Sequence, residues 1–292
     1  MKLSAFIVSL SFSFCVSAQT FSEKTTTASN VRLNVSNSGT FGNAFRGYRD
    51  GSGNPSGEYP AGSGVEHLFE SGIWFGGLIN GSTVAVSTAA VDAPQGYSTG
   101  SAGFEFYPEP GATLKEISSL RNSPYYNTSA VSHQDFVATF SDKNVKVPGT
   151  NTQIGSHLDP LFVQITAKSY NWNYSFSDFF VILDYELENI GTNTIDSAFF
   201  GLWANTVVRN INVTPAGSGG ASFYNKGGNG YFDSLQMAYC YDNAGDVGFT
   251  DSYVGQKFLG AEDKNGFHHP NNGSSFKANY NAWQFNSTTD PI

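Results

Sequence analysis

Apolar and polar residues alternate along the middle of the chain in the way that β-strands require. The alternation covers residues 161–168 and 179–188, and a third segment, 194–204, follows the turn sequence at 189–193. A period of two predicts antiparallel strands that bury one face and expose the other. The positions predicted to be buried are Leu161, Val163, Ile165 and Ala167 in the first strand, and Phe179, Val181, Leu183, Tyr185 and Leu187 in the second.

A hairpin is the clearest single element. The apolar run GIWFGGLI at 72–79 is followed by Asn80-Gly81 and then by STVAVST at 82–88. Both central residues of a type I′ turn need positive φ, which Asn and Gly tolerate. We therefore predict two strands joined at Asn80-Gly81. The three glycines of the first strand predict a bulge or a close backbone approach.

The rest of the chain is predicted to hold shorter strands between long loops. Leucine and isoleucine recur at three-residue spacing over 112–120, which predicts one or two turns of helix. Loops rich in Gly, Asn, Ser or Pro are expected at 37–64, 141–156 and 215–230, and further strands at 136–140, 234–241 and 253–259. The predicted fold class is all-β: an antiparallel β-sandwich with long Gly/Asn/Ser-rich loops and at most one or two short helices.

Composition agrees with this fold class and excludes some functions. Aromatic residues make up 15% of the chain and charged residues only 13%, which favours strands because strong helix formers such as Lys and Glu are scarce. The net charge of −9 opposes binding to nucleic acid, since an acidic surface repels phosphates. After residue 18, no apolar stretch is long enough to span a membrane.

The first 18 residues have the three parts of a secretory signal peptide. Lys2 precedes an apolar run over 3–16, which ends in small residues at Val16-Ser17-Ala18. The alternative is a membrane anchor, which needs about 20 apolar residues. This run is shorter and is interrupted by serines, so we predict cleavage after Ala18 and export from the cytoplasm.

The mature chain would be one β-sandwich-type extracellular domain over residues 19–292. Cleavage removes Cys15 and leaves Cys240 as the single cysteine, so no intramolecular disulfide is expected, and Cys240 is predicted to be buried and inert. The chain ends at Ile292 without a clear terminal element. We therefore expect it to be a truncated piece of a longer protein.

Several segments of the mature chain resemble a family of secreted bacterial proteins. They are GSGVEHLFESGIWFGG at 62–77, KSYNW at 168–172, SDFFVILDY at 177–185 and GLWA at 201–204. They are similar to the early part and the later core of large extracellular proteins that use the type IX secretion pathway and usually end in a C-terminal sorting domain. The resemblance covers most of the mature chain. It implies passage through the periplasm to the outer cell surface or the medium, and it names no activity.

The chain departs from that family in two places. No C-terminal sorting domain is recognisable, which fits the expected truncation. Many relatives carry an Asp-rich run suited to calcium just after the GLWA segment, where this chain has NTVVRN at 205–210. Neutral Asn205 and positive Arg209 argue against a full calcium loop at that point.

A different segment is the candidate metal site. Asp242, Asn243, Asp246 and Asp251 place hard oxygen ligands on and near a turn, and oxygen is the ligand atom that calcium prefers. The spacing does not match an EF-hand, and an Asx-rich hairpin turn explains the same residues. Calcium is the only cofactor that the sequence suggests.

Aromatic rings are candidates for a carbohydrate platform, because a flat ring stacks on the apolar face of a sugar. The rings concerned are Trp172 with Tyr174, or Trp74 with Trp283. Core packing is the alternative in a chain so rich in aromatic residues.

Catalysis finds little support in the sequence. Asp184, Glu186 and Glu188 share one face of a predicted strand, where neighbours about 7 Å apart could act as acid and base on a glycoside. A solvated strand face explains the same row. The histidines match no zinc protease motif, and no catalytic residue is assigned.

Two short sequences resemble the sites at which such bacteria attach O-glycans to exported proteins. They are Asp196-Ser197-Ala198 and Asp233-Ser234-Leu235. The pattern is short enough to occur by chance. It predicts glycosylation at Ser197 and Ser234.

These observations predict a secreted or cell-surface module with a structural or adhesive role in a larger extracellular protein. The expected partner is a polysaccharide or another cell-surface protein. The alternatives are a carbohydrate-binding module and an accessory part of a secreted hydrolase.

Overall fold

The computed structural model describes most of the region predicted to be the mature domain. The described residues are 21–43, 54–90, 103–155, 157–213, 227–243, 249–270 and 278–282. The predicted signal peptide, Asp246 and Trp283 lie outside the described residues.

Almost all regular structure in the described part is β-strand. In chain order the strands are β1 (Glu23–Thr25), β2 (Arg32–Ser36), β3 (Thr40–Phe41), β4 (Gly57–Glu58), β5 (Val65–Glu66), β6 (Glu70–Ile79), β7 (Thr83–Thr88), β8 (Tyr107–Pro108), β9 (Lys115–Ile117), β10 (Gln134–Ser141), β11 (Val163–Asn171), β12 (Ile182–Asn189), β13 (Ile195–Asn205), β14 (Arg209–Asn210), β15 (Gly227–Phe232), β16 (Met237–Asp242), β17 (Tyr253–Lys257), β18 (Ala261–Asp263) and β19 (Gly266–His268). One 3₁₀ turn spans Asp233–Leu235.

The described strands form two large sheets and two small ones, and the pairs between strands are antiparallel. The largest sheet has the order β13-β6-β3-β2-β4-β5-β14, with β1 beside β2 and β7 beside β6. The second has the order β12-β11-β10-β8, with β9 beside β10. The strands β15-β16-β17 form a three-stranded sheet, and β18-β19 a hairpin. The all-β, antiparallel prediction is confirmed.

The core lies between the two large sheets, so the arrangement is sandwich-like. Ile73 and Phe75 of the first sheet belong to the same buried cluster as Phe140 and Ile165 of the second. Ile73, Phe140 and Ile165 are fully buried, and each such side chain contributes roughly 1.5–3 kcal/mol relative to leaving it exposed. The predicted alternation in β11 is confirmed, because Leu161, Val163 and Ile165 face this core.

The predicted hairpin is confirmed. Strands β6 and β7 pair from Trp74–Thr88 to Ile79–Thr83, and Asn80 and Gly81 both have positive φ, 49° and 71°. These are the left-handed conformations that a type I′ turn needs. The Asn-Gly dipeptide therefore sets the register of the longest hairpin in the first sheet.

The glycines of β6 mark close backbone approaches, as predicted. A Cβ on Gly72 would lie 2.5 Å from the carbonyl carbon of Ala89, and one on Gly77 would lie 2.7 Å from Cγ2 of Ile195. The β-bulge itself is in the neighbouring strand, between Asp196 and Phe199 of β13. Gly77 thus leaves room for the bulged strand to pack against β6.

The helix predicted over 112–120 is wrong. Lys115–Ile117 is a short strand that pairs with Val137–Asp135 of β10. Only Leu114 of the three regularly spaced apolar residues is buried, so the period of three does not report a helical face. Pairing with β10 outweighs the weak local pattern.

The loop predicted over 37–64 is shorter and more buried than expected. Strands β3 and β4 lie within it, and its described polar side chains include several that are nearly inaccessible to solvent: Asn37, Ser38, Asn43, Ser56 and Glu58. Hydrogen bonds between backbone and side-chain atoms satisfy many of these groups. For example, the Asn43 N–H donates to Ser56 Oγ.

Candidate functional site

The loop between β11 and β12, residues 172–181, exposes a group of aromatic side chains at the surface. We call it the aromatic loop. Its exposed rings, with their exposed fractions, are Tyr174 (49%), Phe176 (73%), Phe179 (55%) and Phe180 (36%). Large apolar side chains gathered at one exposed place are typical of interaction sites.

The rings of the aromatic loop contact each other in pairs. Tyr174 and Phe176 stack face to face, with centroids 5.3 Å apart and ring planes within 8°. Phe179 and Phe180 meet edge to face at 5.4 Å. The His133 ring packs its edge on Tyr174, with centroids 4.6 Å apart. The result is two separate groups of packed rings on one loop.

Hydrogen bonds fix the aromatic loop to the body of the domain. The Asn30 backbone N–H donates to the Asp178 carbonyl at 3.0 Å, and the Asn30 side chain donates to the Asp178 carboxylate at 2.8 Å. At the start of the loop, Asn171 N–H donates to Ser132 Oγ at 2.8 Å. A partner would therefore meet a loop already ordered, which lowers the entropic cost of binding.

The sequence predicted only part of this site, namely Trp172 and Tyr174. Tyr174 is at the surface, but it stacks with Phe176, while Trp172 is half-buried and tilted against Tyr170 at 6.2 Å. Phe179 was predicted to be buried in a strand, and this is wrong because the strand begins only at Ile182. The Ser177 N–H donates to the Tyr174 carbonyl, so a turn replaces the start of the expected strand.

The other predicted aromatic pair does not form a described platform. Trp74 packs against buried Trp203 and Ala90. Trp283 lies outside the described residues, so the pairing of Trp74 with Trp283 stays a prediction.

One predicted calcium ligand already has a cationic partner. Asp242 Oδ1 accepts a hydrogen bond from Arg209 Nη1 at 2.9 Å, and both side chains are 1% exposed. Asp242 Oδ2 accepts from the Thr250 N–H at 3.3 Å. Burial raises the pKa of Asp242, and Arg209 opposes that shift. Arg209 thus supplies the positive charge that calcium was predicted to supply.

The other predicted ligands do not complete a described metal site. Asn243 and Asp251 are exposed, and Asp246 lies outside the described residues. Within the residues that the structure describes, no group of three or more His, Cys, Asp or Glu side chains could hold a metal ion. The calcium site therefore stays a prediction that depends on Asp246.

The acidic row on β12 lies at the surface. Asp184, Glu186 and Glu188 are all exposed, Tyr170 donates its hydroxyl hydrogen to Asp184 at 3.0 Å, and Lys168 lies 3.6 Å from Glu186. This arrangement is that of a solvated strand face.

The sequence did not predict the contact between buried His67 and half-buried Ser252. His67 Nε2 lies 2.6 Å from Ser252 Oγ, and burial lowers the pKa of His67 to about 4. His67 is therefore neutral at neutral pH. The contact joins the segment before β6 to the segment before β17, so its evident role is to hold these two parts of the chain together.

The predicted glycosylation sites are both accessible. Ser197 is exposed within the bulge of β13 and has a positive φ of 49°. Ser234 is exposed on the 3₁₀ turn. Glycosylation of both serines stays a prediction. By contrast, Cys240 is buried as predicted, and burial raises the pKa of its thiol.

Comparison with known proteins identifies no relative of this chain. No protein-family model, no curated protein and no solved structure matches the chain. Within the described part of the chain, no helix has the length and apolar character that a membrane-spanning helix requires.

Proposed function

We propose that this chain is an adhesive β-sandwich module of a larger exported protein, and that it binds another cell-surface protein through the aromatic loop. The observation that carries the proposal is the set of four exposed aromatic rings on one loop that is fixed by hydrogen bonds. Aromatic side chains dominate the energetic centres of protein interfaces. The rest of the sandwich acts as the rigid support for the loop.

The arrangement of these rings favours a protein partner over a sugar. The face of Tyr174 is covered by Phe176, and Phe179 meets Phe180 edge-on, so the rings do not lie side by side in one plane. Rings that project in this way fit an apolar pocket, which a folded protein supplies. The N-terminal segment and the family resemblance support a location outside the cytoplasm, where such a partner would be met.

The experiment measures binding of the labelled mature chain to the cells that produce it. Phe176→Ser and Phe179→Ser each replace a ring that is more than half exposed, so neither change is expected to affect folding. Phe267→Ser is the matched control, because Phe267 is 57% exposed on β19. The cells are used before and after digestion of their surface proteins by a protease.

The proposal expects saturable binding that is weakened at least about tenfold by each aromatic-loop variant, since truncating an interface hot spot costs about 2 kcal/mol or more. The control should bind like the unaltered chain, and digestion should abolish binding. Binding that survives digestion, or that is the same in Phe176→Ser, would overturn the proposal.

A further inference from the structure

The three-stranded sheet of β15, β16 and β17 has a second aromatic surface, separate from the aromatic loop. Tyr241 lies opposite Tyr253 in the pairing of β16 with β17, and Tyr239 is two residues away on the same face of β16. We call this side of the sheet the tyrosine face. Its ring centroids are 6.2 Å apart for Tyr239–Tyr241 and 5.7 Å for Tyr241–Tyr253, and each pair of ring planes meets at 30°.

Glycines allow two of these rings to lie flat on the sheet. Gly230 pairs with Tyr239, and Gly228 pairs with Tyr241. A Cβ on Gly228 would lie 2.6 Å from the Tyr241 hydroxyl oxygen, and a Cβ on Gly230 would lie 2.7 Å from that of Tyr239. Each ring therefore covers the glycine of the next strand, and any larger residue there would push the ring off the sheet.

The opposite face of the same sheet packs against the body of the domain. Cys240 and Asp242 alternate with the tyrosines along β16 and are both buried. Cys240 Sγ lies 3.8 Å from the Thr206 carbonyl oxygen, and Asp242 binds Arg209. The tyrosine face therefore points away from the body, and its Tyr253 ring is 64% exposed.

The charge on the tyrosine face is opposite in sign to that of the chain. Lys257 pairs with Met237 on this face and is exposed. Among the described residues of β15, β16 and β17 that share this face, none is acidic: Gly228, Gly230, Phe232, Met237, Tyr239, Tyr241, Tyr253, Gly255 and Lys257. Lys257 is therefore the one charged side chain among these face residues and lies beside the row of aromatic rings, while exposed Asp251 precedes β17.

We propose that the tyrosine face binds an acidic polysaccharide. The apolar C–H faces of its sugar rings would stack on Tyr239, Tyr241 and Tyr253, as apolar groups pack on aromatic faces. A uronate carboxylate of the same chain would pair with Lys257. Coverage of cross-strand glycines by aromatic rings stabilises sheets without any ligand, and it accounts for Tyr239 and Tyr241. It does not involve Tyr253 or Lys257, the two exposed side chains that a polyanionic glycan would contact.

The test is electrophoresis of the mature chain through native gels that contain polygalacturonate, with dextran gels as the neutral comparison. The variants are Tyr253→Ser and Lys257→Gln, which change two exposed side chains of the tyrosine face and leave the rings over the glycines in place. The matched controls are Tyr125→Ser and Lys264→Gln. Tyr125 is 48% exposed and Lys264 is exposed in the turn between β18 and β19.

Retardation by polygalacturonate and not by dextran is expected for the unaltered chain. Tyr253→Ser should weaken it about tenfold, as the loss of one stacking ring does, and Lys257→Gln about two- to fivefold, because it removes the one attractive charge pair. The controls and Phe176→Ser should migrate like the unaltered chain. Equal retardation in both gels, no retardation in either, or unchanged retardation of Tyr253→Ser would overturn the proposal.

Discussion

Arg209 and Asp242 form a buried ion pair that joins two sheets. The Arg209 guanidinium on β14 donates to the Asp242 carboxylate on β16 at 2.9 Å, and each side chain is 1% exposed. Because β14 belongs to the large sheet and β16 to the three-stranded sheet, the pair fixes the sheet that carries the tyrosine face to the sandwich. It also gives the Asp242 carboxylate a permanent cationic partner.

Removing one partner of this pair should destabilise the domain strongly. Asp242→Ala leaves the Arg209 charge buried, and we expect a loss of about 3–5 kcal/mol in the free energy of unfolding, measured by urea titration. The double variant Arg209→Met with Asp242→Leu should recover most of the loss, because it leaves no buried charge. Lys143→Ala is the control, since it breaks the exposed pair with Glu109 and should cost less than about 1 kcal/mol. A loss below 1 kcal/mol in Asp242→Ala would contradict this account.

The same ion pair leads to a prediction about calcium. Since Arg209 already neutralises Asp242, removing calcium with a chelator should leave the melting temperature of the domain unchanged. The measurement is thermal unfolding followed by circular dichroism, with added calcium and with chelator. A fall in melting temperature with chelator, reversed by added calcium, would instead support the predicted site at Asp242, Asn243, Asp246 and Asp251.

The parts of the fold that the sequence predicted depend on local patterns. Alternation identified the buried face of β11, and Asn80-Gly81 identified the hairpin, because both signals lie within a few residues. The contact of Arg209 with Asp242 joins residues 33 positions apart in the sequence, and no local pattern predicts it. For the same reason, Glu66 and His67 were not predicted to be buried, since polar residues beside turn sequences are usually exposed.

Local patterns also predicted only part of the aromatic loop and none of the tyrosine face. Tyr174 was a candidate from composition, but Phe179 was assigned to a buried strand face because the alternation of β12 continues backward through it. Only the turn closed by Ser177 and Tyr174 shows that Phe179 precedes the strand. The tyrosine face depends on the register that places Gly228 opposite Tyr241, and a single sequence does not specify that register.

Glu66 should make the stability depend on pH near neutrality. Burial raises its pKa from 4.5 to about 8, while hydrogen bonds from the Ser56 and Gly57 N–H groups oppose the shift. The folded state therefore holds a proton that the unfolded state releases between pH 4.5 and 8, so stability falls as pH rises through this window.

Between pH 7 and 8, Glu66 makes the largest contribution to this loss of stability, and Glu105 makes a smaller one. The pKa of Glu105 is raised only to about 7, and His67, with its pKa lowered to about 4, affects stability below its ordinary pKa of 6.5. We expect Glu66 to reduce the free energy of unfolding by about 1 kcal/mol from pH 7 to 8, measured by urea titration at each pH. Glu66→Gln should show a flatter profile, and Glu188→Gln, on the exposed β12 row, should retain the slope. Equal slopes in Glu66→Gln and the unaltered chain would contradict the prediction.

Gly72 is a position where even the smallest side chain, that of alanine, should destabilise the fold. A Cβ there would lie 2.5 Å from both the Ala89 carbonyl carbon and the Ala90 nitrogen, and these two residues, which follow β7, are fully buried and have little room to move. Gly72→Ala should therefore cost about 1–3 kcal/mol in the free energy of unfolding, as overpacking of a filled interior does. The measurement is urea unfolding followed by tryptophan fluorescence.

Gly201 is the matched control for this prediction, because it lies on β13 in the same sheet and a Cβ there would meet only the Trp74 Cβ at 3.6 Å. Gly201→Ala should be neutral or slightly stabilising, since alanine reduces the freedom of the unfolded chain and meets no clash in the folded one. If the two variants unfold at the same urea concentration, β6 and the end of β7 are not packed as closely as these distances indicate. A loss confined to Gly72→Ala would show that the Gly-rich strand is required for the close contact between β6 and the residues that follow β7.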